Sequence, residues 1–294
     1  MRKMLRTTIT AALLLCSIIP ANTFAAAPTT APASKSIDAK MTQQFIADLT
    51  GNDPAAASAA TASLKSLLAK NKHTAFQVLT HDILPALMAA HKFDPADDLA
   101  ATGILTVPYE DKYVRDALVV RLQIALIQND HDRALLLAHS LFNFARMVDT
   151  PATLPLVLAA LKAAHPDDPA LEEKFNHEQL PNPAIPFSDT PMDAPSLIRA
   201  LPTDDKTYTA AITAFIGKKD IRSRISLANL QLLANKFKEA KQEFTDIASS
   251  PKQPTIGREG IARAIKSEDG LTPRATAFLK TPAPPPIKPD PDLP

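Results

Sequence analysis

Cysteine is all but missing from this sequence: Cys16 is the only one in 294 residues. A single thiol closes no internal disulfide and cannot complete a Cys-based metal cage. Glycine is nearly as scarce, at six, and no Asn-Gly pair occurs, so the tight turns of two-residue β-hairpins have no supply. Also absent are a His-Glu-x-x-His run, a Gly-rich phosphate loop and a Gly-x-Ser-x-Gly elbow. Zinc-protease, P-loop and α/β-hydrolase chemistry therefore lack their motifs. Strong charge of one sign is missing too. The net charge is +1, and Arg2, Lys3 and Arg6 place three positive charges in the first 25 residues with no acid, so the remainder carries −2. Bulk charge does not drive such a chain onto nucleic acid or an anionic membrane.

What is abundant is alanine and leucine, which favour helix. The 27 prolines would oppose helix if scattered, but they gather at helix starts, in a central segment and in a tail. Residues 1–25 read as a cleavable signal peptide: a basic start, an apolar run over 9–20, and Thr23-Phe24-Ala25 before a cleavage point after Ala25. The run is short for a membrane span. Cys16 lies inside it after the large Leu15, where a lipoprotein signal wants a small residue. The expected location is periplasmic or secreted, with no transmembrane span in the mature chain. Residues 26–37, rich in Ala, Pro, Thr and Ser, read as a flexible leader.

Helical periodicity begins near Asp38, with Phe45, Ile46 and Leu49 on one side, and breaks at Gly51-Asn52-Asp53-Pro54, where Asp53 suits an N-cap and Pro54 a first helical position. Pro85 should kink the next helix or split it at Leu84. One local pattern then recurs. His91-Lys92-Phe93-Asp94-Pro95-Ala96, Asn129-Asp130-His131-Asp132-Arg133-Ala134 and Asn235-Lys236-Phe237-Lys238-Glu239-Ala240 each run turn, ring, two further residues, alanine. The ring covers the end of a helix pair, and the alanine lets two helix axes approach. A weaker fourth copy falls at Ala275 and Leu279. Residues 113–127 are apolar nearly all round, which predicts a central, doubly covered helix. Six prolines between 181 and 202 forbid a continuous helix over 179–203, yet Ile185, Phe187, Met192, Leu197 and Ile198 are too apolar for a free linker. An extended strap laid across helices is expected there.

The stretch 227–251 organises the rest. Leu227, Leu230 and Ala234 share one helix face, and Phe237, Ala240, Phe244 and Ile247 share another. It resembles a tetratricopeptide repeat, a helix–turn–helix unit, over about residues 221–280. Leu227, Ala228, Phe237, Ala240 and Phe244 stand at matching positions. Arg224 and Gln231 stand where the family prefers aromatics, Asn235 where it has Gly, and Pro251 comes one residue early. Residues 40–110 fit HEAT-like pairs about as well, and a generic bundle of helices remains open. The resemblance implies a stacked, curved α-solenoid whose concave side binds peptides.

The expected fold is thus all-α: a helix-hairpin repeat array of the tetratricopeptide-like solenoid kind, interrupted by a Pro-rich extended segment. Its parts are an N-terminal array over 38–178, the strap over 179–203, a C-terminal array over 204–281 and a Pro-rich, disordered tail over 282–294. Charge is uneven: 218–274 holds 12 Lys and Arg against 7 Asp and Glu, whereas 165–205 holds 9 acids against 2 bases. A basic groove would let Arg222, Lys236 and Lys241 grip an acidic peptide or a carboxylate terminus, near Leu230, Gln231 and Phe244. The expected role is an exported, non-catalytic scaffold for a protein or peptide partner, with no catalytic residue, cofactor, metal or nucleic acid. The alternative is a cell-envelope enzyme on a helical scaffold, using Asp or Glu as acid and base. His73, His81 and His91, spaced eight and ten apart, cannot all share one helix face, and Asp94, Asp97 and Asp98 read as acids favouring a helix start.

Overall fold

The computed structural model describes residues 37–70, 72–173, 205–251 and 253–269, with 175, 198, 201, 202 and 280 as isolated positions. All lie in one compact unit that begins at Ile37. The signal peptide, the leader, the tail, the fourth turn copy and nearly all of the strap fall outside the described residues. Of the strap, Ile198 and Leu201 are buried in the core, and the Pro202 carbonyl lies 3.3 Å from His139 Nδ1.

Among the described residues every element is helical. The first half holds α1 (Ala39–Thr50), α2 (Pro54–Lys70), α3 (Lys72–Val78), a π turn (Leu79–Ile83), α4 (Leu84–Ala89), α5 (Phe93–Thr106), α6 (Asp111–Ile127), α7 (His131–Phe144) and α8 (Thr150–Ala164). The second holds α9 (Asp205–Ile212), α10 (Ile221–Leu233), α11 (Phe237–Ala248) and α12 (Pro254–Asp269). The acids before the helices cap them as their types suggest: Asp38 accepts from Met41 N at 2.7 Å, Asp53 from Ala55 N at 2.9 Å, and Asp220 from Ser223 N at 2.9 Å.

Pro85 does not split its helix. Proline has no N–H and its ring crowds the carbonyl four residues back. The chain relieves both by widening into the π turn just before it, where Leu84 N bonds Leu79 O, and then resumes as α4.

The three recurrent turns share one geometry. His91, Asn129 and Asn235, at φ 55°, 56° and 55°, are the only non-glycine residues with positive φ among those described. The following amide in each reaches back across the turn: Lys92 N to Leu87 O at 2.9 Å, Asp130 N to Ala125 O at 2.9 Å, Lys236 N to Gln231 O at 2.8 Å. This is a Schellman closure, and the next helix begins one residue later. Ala96, Ala134 and Ala240 are fully buried three residues into those helices.

Each helix packs mainly on its neighbours in sequence, and α10 and α12 also return to α7. Helix α10 is covered on two faces. Leu227, Leu230, Leu233 and Ala234 join the large core built on α1–α9, while Ile225, Ala228 and Leu232 join a second core with Ala240, Phe244 and Ile247 of α11 and Ile261, Ala262 and Ile265 of α12. The expected arrays over 38–178 and 204–281 therefore share a core. Glycine serves close approach where α12 crosses α11: a Cβ at Gly257 would lie 2.2 Å from Ala248 N.

Candidate functional site

The polar groups of the described fold converge on the amino end of α6, residues 109–116. Its sequence, Tyr-Glu-Asp-Lys-Tyr-Val-Arg-Asp, holds two of the chain's three tyrosines. Side chains there alternate between two sides. Toward α3, Glu110 Oε1 meets His73 Nδ1 at 2.7 Å, and the Tyr113 ring takes contacts from His73 at 5.5 Å, Phe76 at 5.8 Å and His81 at 5.5 Å between centroids. In a regular α-helix residues eight apart sit about 80° out of line. The π turn changes the winding between them, and His73 and His81 both reach one tyrosine, while His91 meets Phe93 edge-on elsewhere. Burial and then the neighbouring Glu110 and Asp116 raise the Tyr113 phenol above its ordinary range. Tyr109 is raised likewise by burial and Glu110, against the pull of Arg222. Both therefore remain hydroxyl donors at neutral pH. His81 Nε2 and Asp116 Oδ2 are buried without hydrogen-bond partners.

On its other side the same end of α6 meets α8, α10 and α12. Arg115 bridges Asp116 at 2.7 Å and Asp149 at 2.6 Å, and Asp149 also takes Arg146 at 2.8 Å. Asp111 Oδ1 accepts from Asn229 Nδ2 at 2.7 Å, and the same amide donates to Pro108 O at 2.7 Å. Arg263, fully buried, lies 3.0 Å from Asp111 Oδ2 and is sandwiched between the rings of Phe144 and Phe244, at 5.1 and 5.3 Å. The alignment to Asp111 is that of an ion pair rather than a hydrogen bond, and Arg263 Nε has no hydrogen-bond partner.

Helix α12 then occupies the open end of α7. The last carbonyls of a helix have no partner within it. Lys266 Nζ donates to Phe142 O at 2.5 Å and Ala145 O at 2.6 Å, Ser267 Oγ lies 3.4 Å from Asn143 O, and Arg263 Nη1 lies 3.4 Å from Phe144 O. Four consecutive carbonyls are thus met by side chains some 120 residues later in the chain. Burial, reinforced by Arg263 and opposed by Asp149, pushes the Lys266 ammonium down to about 7.

The chain matches no family model, no curated protein and no solved structure. Its chemistry is therefore read from its own residues. Among the described residues no group of three His, Cys, Asp or Glu is placed to hold a metal ion. The acids near the start of α5 each reach another helix. Asp97 lies between Arg121, at 2.9 Å, and Arg133; Asp98 takes Lys65 at 2.8 Å; and Asp94 accepts from Gln128 at 3.2 Å. Most of these charges tie helices together.

The residues expected at a peptide groove lie in two places. Arg222 is exposed at the start of α10, its guanidinium 5.5 Å from the Tyr109 centroid. Lys236 precedes α11, about 20 Å from Arg222 along α10, and Lys241 sits exposed in the second turn of α11, which packs back along α10. Leu230 and Phe244 are fully buried in separate cores, and Gln231 Oε1 is buried without a partner. A contrast among cations stands out. Arg115, Arg121, Arg133, Arg146, Arg224 and Arg263 all pair with carboxylates, Arg224 with both Glu243 and Asp246. Among the described residues Lys218, Lys219, Arg222, Lys236, Lys238 and Lys241 have no carboxylate partner.

The amino end of α6 was not singled out by periodicity, because its polar residues interrupt the apolar pattern that marks the helix. The pairing of two tyrosines within five residues, set among five charges, was the available signal.

Proposed function

We propose that this chain is an exported, non-catalytic helical-repeat scaffold that holds a protein or peptide partner. The observation that supports it best is the repetition of one hairpin design: positive-φ residue, Schellman closure, immediate helix restart and buried alanine at 91–96, 129–134 and 235–240. Repeated hairpins stack through like surfaces and leave an extended face for a ligand. Six carboxylates, Asp97, Asp111, Asp116, Asp149, Glu243 and Asp246, pair with arginines, most of them on another helix, which favours holding over turnover. The uncommitted cations at the α10–α11 turn, Lys236 and Lys241, suit an acidic partner segment, with Arg222 serving a separate place on the surface.

Capture from a cell-envelope extract by cross-linking tests this reading, comparing the chain from residue 26 onward with its Lys236→Glu, Lys241→Glu variant. A defined partner retained by the parent and weakened at least about tenfold by the double reversal is expected. Equal capture by both would remove this face from the proposal. A partner chemically altered in the presence of the chain would replace scaffold with enzyme.

A further inference from the structure

We infer that the turn between α9 and α10 is a peripheral docking tip for an anionic lipid surface. This does not depend on the peptide reading, since it uses a different place on the molecule. Ile216 is 64% exposed, one of four exposed large hydrophobic residues among those described, with Val148 at 71% the other strongly exposed one. It stands on a turn whose next residue, Gly217, has φ +78° and nothing within 4 Å of where a Cβ would be, so the backbone there projects into open space. Lys218, Lys219 and Arg222 follow, all exposed and all without a carboxylate partner among the described residues. The one acid between them, Asp220, caps α10 and stays ionised, its pKa lowered by the bonds to Ser223 and by the nearby Lys218, so the three cations leave a net charge of +2 at the tip. Lys218 lies 5.2 Å from the Phe215 centroid, and Arg222 covers Tyr109.

Shape decides between partners. An acidic peptide needs a concave track that covers its backbone and side chains. A bilayer instead meets a convex tip: an aliphatic residue enters the headgroup boundary while flanking cations lie among the phosphates and aromatic rings sit at the interface. The tip has those parts in that order. Among the described residues no helix is long and apolar enough to cross a membrane. The near-neutral total charge is no obstacle, because screening leaves only the charges within about 10 Å of the membrane to act. With one aliphatic anchor and three cations, the association is weak and reversible.

The test uses the chain from residue 26 onward, which contains the whole compact unit that begins at Ile37. The chain has no tryptophan, so Ile216→Trp installs a single reporter at the tip. With vesicles of equimolar phosphatidylglycerol and phosphatidylcholine, its emission should shift to the blue, and with phosphatidylcholine alone it should not. In flotation of the otherwise native chain, Lys218→Ala with Lys219→Ala should weaken partitioning roughly 25-fold, about fivefold per cation, and raised salt should do the same. Ile216→Ser should weaken it as well. A tryptophan that stays solvent-exposed on anionic vesicles, or variants that float like the parent, would overturn the proposal. So would an oligoglutamate peptide that binds this tip while vesicles do not, which would reassign it to a protein ligand. Circular dichroism of each variant excludes loss of fold as the cause.

Discussion

Replacing Lys266 by methionine keeps most of the volume of the side chain and removes its nitrogen. Two buried carbonyls, Phe142 O and Ala145 O, then lose their donor, and Thr150 Oγ1, 3.4 Å from the same nitrogen, loses a neighbour. An orphaned buried acceptor costs about 1–3 kcal/mol, so two cost about 2–6 kcal/mol. Against this, the parent bears the cost of keeping an ammonium out of water beside Arg263, a cost that methionine escapes. The balance therefore depends on protonation, and pH separates the two effects.

In the folded chain Lys266 titrates near 7, and in the unfolded chain near the ordinary lysine value of about 10.4. Between these the unfolded state binds one more proton than the folded state, so the parent gains stability as pH rises through that window, by at most about 1.4 kcal/mol per pH unit. Below 7 both states hold the proton and the slope vanishes. The Lys266→Met variant lacks the term altogether. Urea unfolding followed by far-ultraviolet circular dichroism, from pH 6.5 to about pH 9, should show the stability of the parent minus that of the variant increasing with pH. A difference, parent minus variant, that stays constant or falls with pH would refute the assignment of a depressed, carbonyl-bound lysine at the end of α7.

Two further outcomes follow from packing and pairing. Gly257→Ala should lower stability by about 1–3 kcal/mol in the same assay, despite the usual helical preference for alanine, because its Cβ would meet the backbone of Ala248 at 2.2–2.5 Å. Asp97→Ala should cost about 1–3 kcal/mol by leaving Arg121 and Arg133 without their shared carboxylate, and Asp97→Glu should restore part of it.

Much of the helical architecture was legible because it is local. The apolar spacing over 227–247 sorted into two faces, and those faces are the ones buried in the two cores. The three recurring turns were visible because a positive-φ cap has preferred residues, Asn among them, and a tight restart leaves room only for alanine three residues on. What escaped was set by partners far along the chain. Arg224 looked like a departure from an aromatic position, yet it bridges Glu243 and Asp246 of the next helix. Arg263 and Lys266 counted toward a basic surface, yet both are fully buried. The three histidines do not share one face, as their spacing implied, but that His73 and His81 meet on Tyr113 was not legible, because the π turn before Pro85 changes the winding between them.

The way each helix ends explains why the second half of the chain folds onto the first. Helices α4, α6 and α10 end in positive-φ turns that satisfy their own last carbonyls and send the chain straight into the next helix. Helix α7 does not. Ala145 leaves it at φ −58°, ψ 130°, an extended exit that closes nothing. Four carbonyls, 142 to 145, are left pointing out of an end that lies in the core, and burying them bare would cost more than a small domain can spare. A cation is the fitting partner, since the negative end of the helix dipole attracts it. Only a later segment can supply one there without breaking the local turn, and α12 does so with Lys266, Arg263 and Ser267. One open helix end thus ties α12 to α7 across some 120 residues of chain, and it takes up the two buried cations, Arg263 and Lys266. Lys218, Lys219, Arg222, Lys236 and Lys241 are among the described cations that no salt bridge holds, and so among those available for a contact outside the chain.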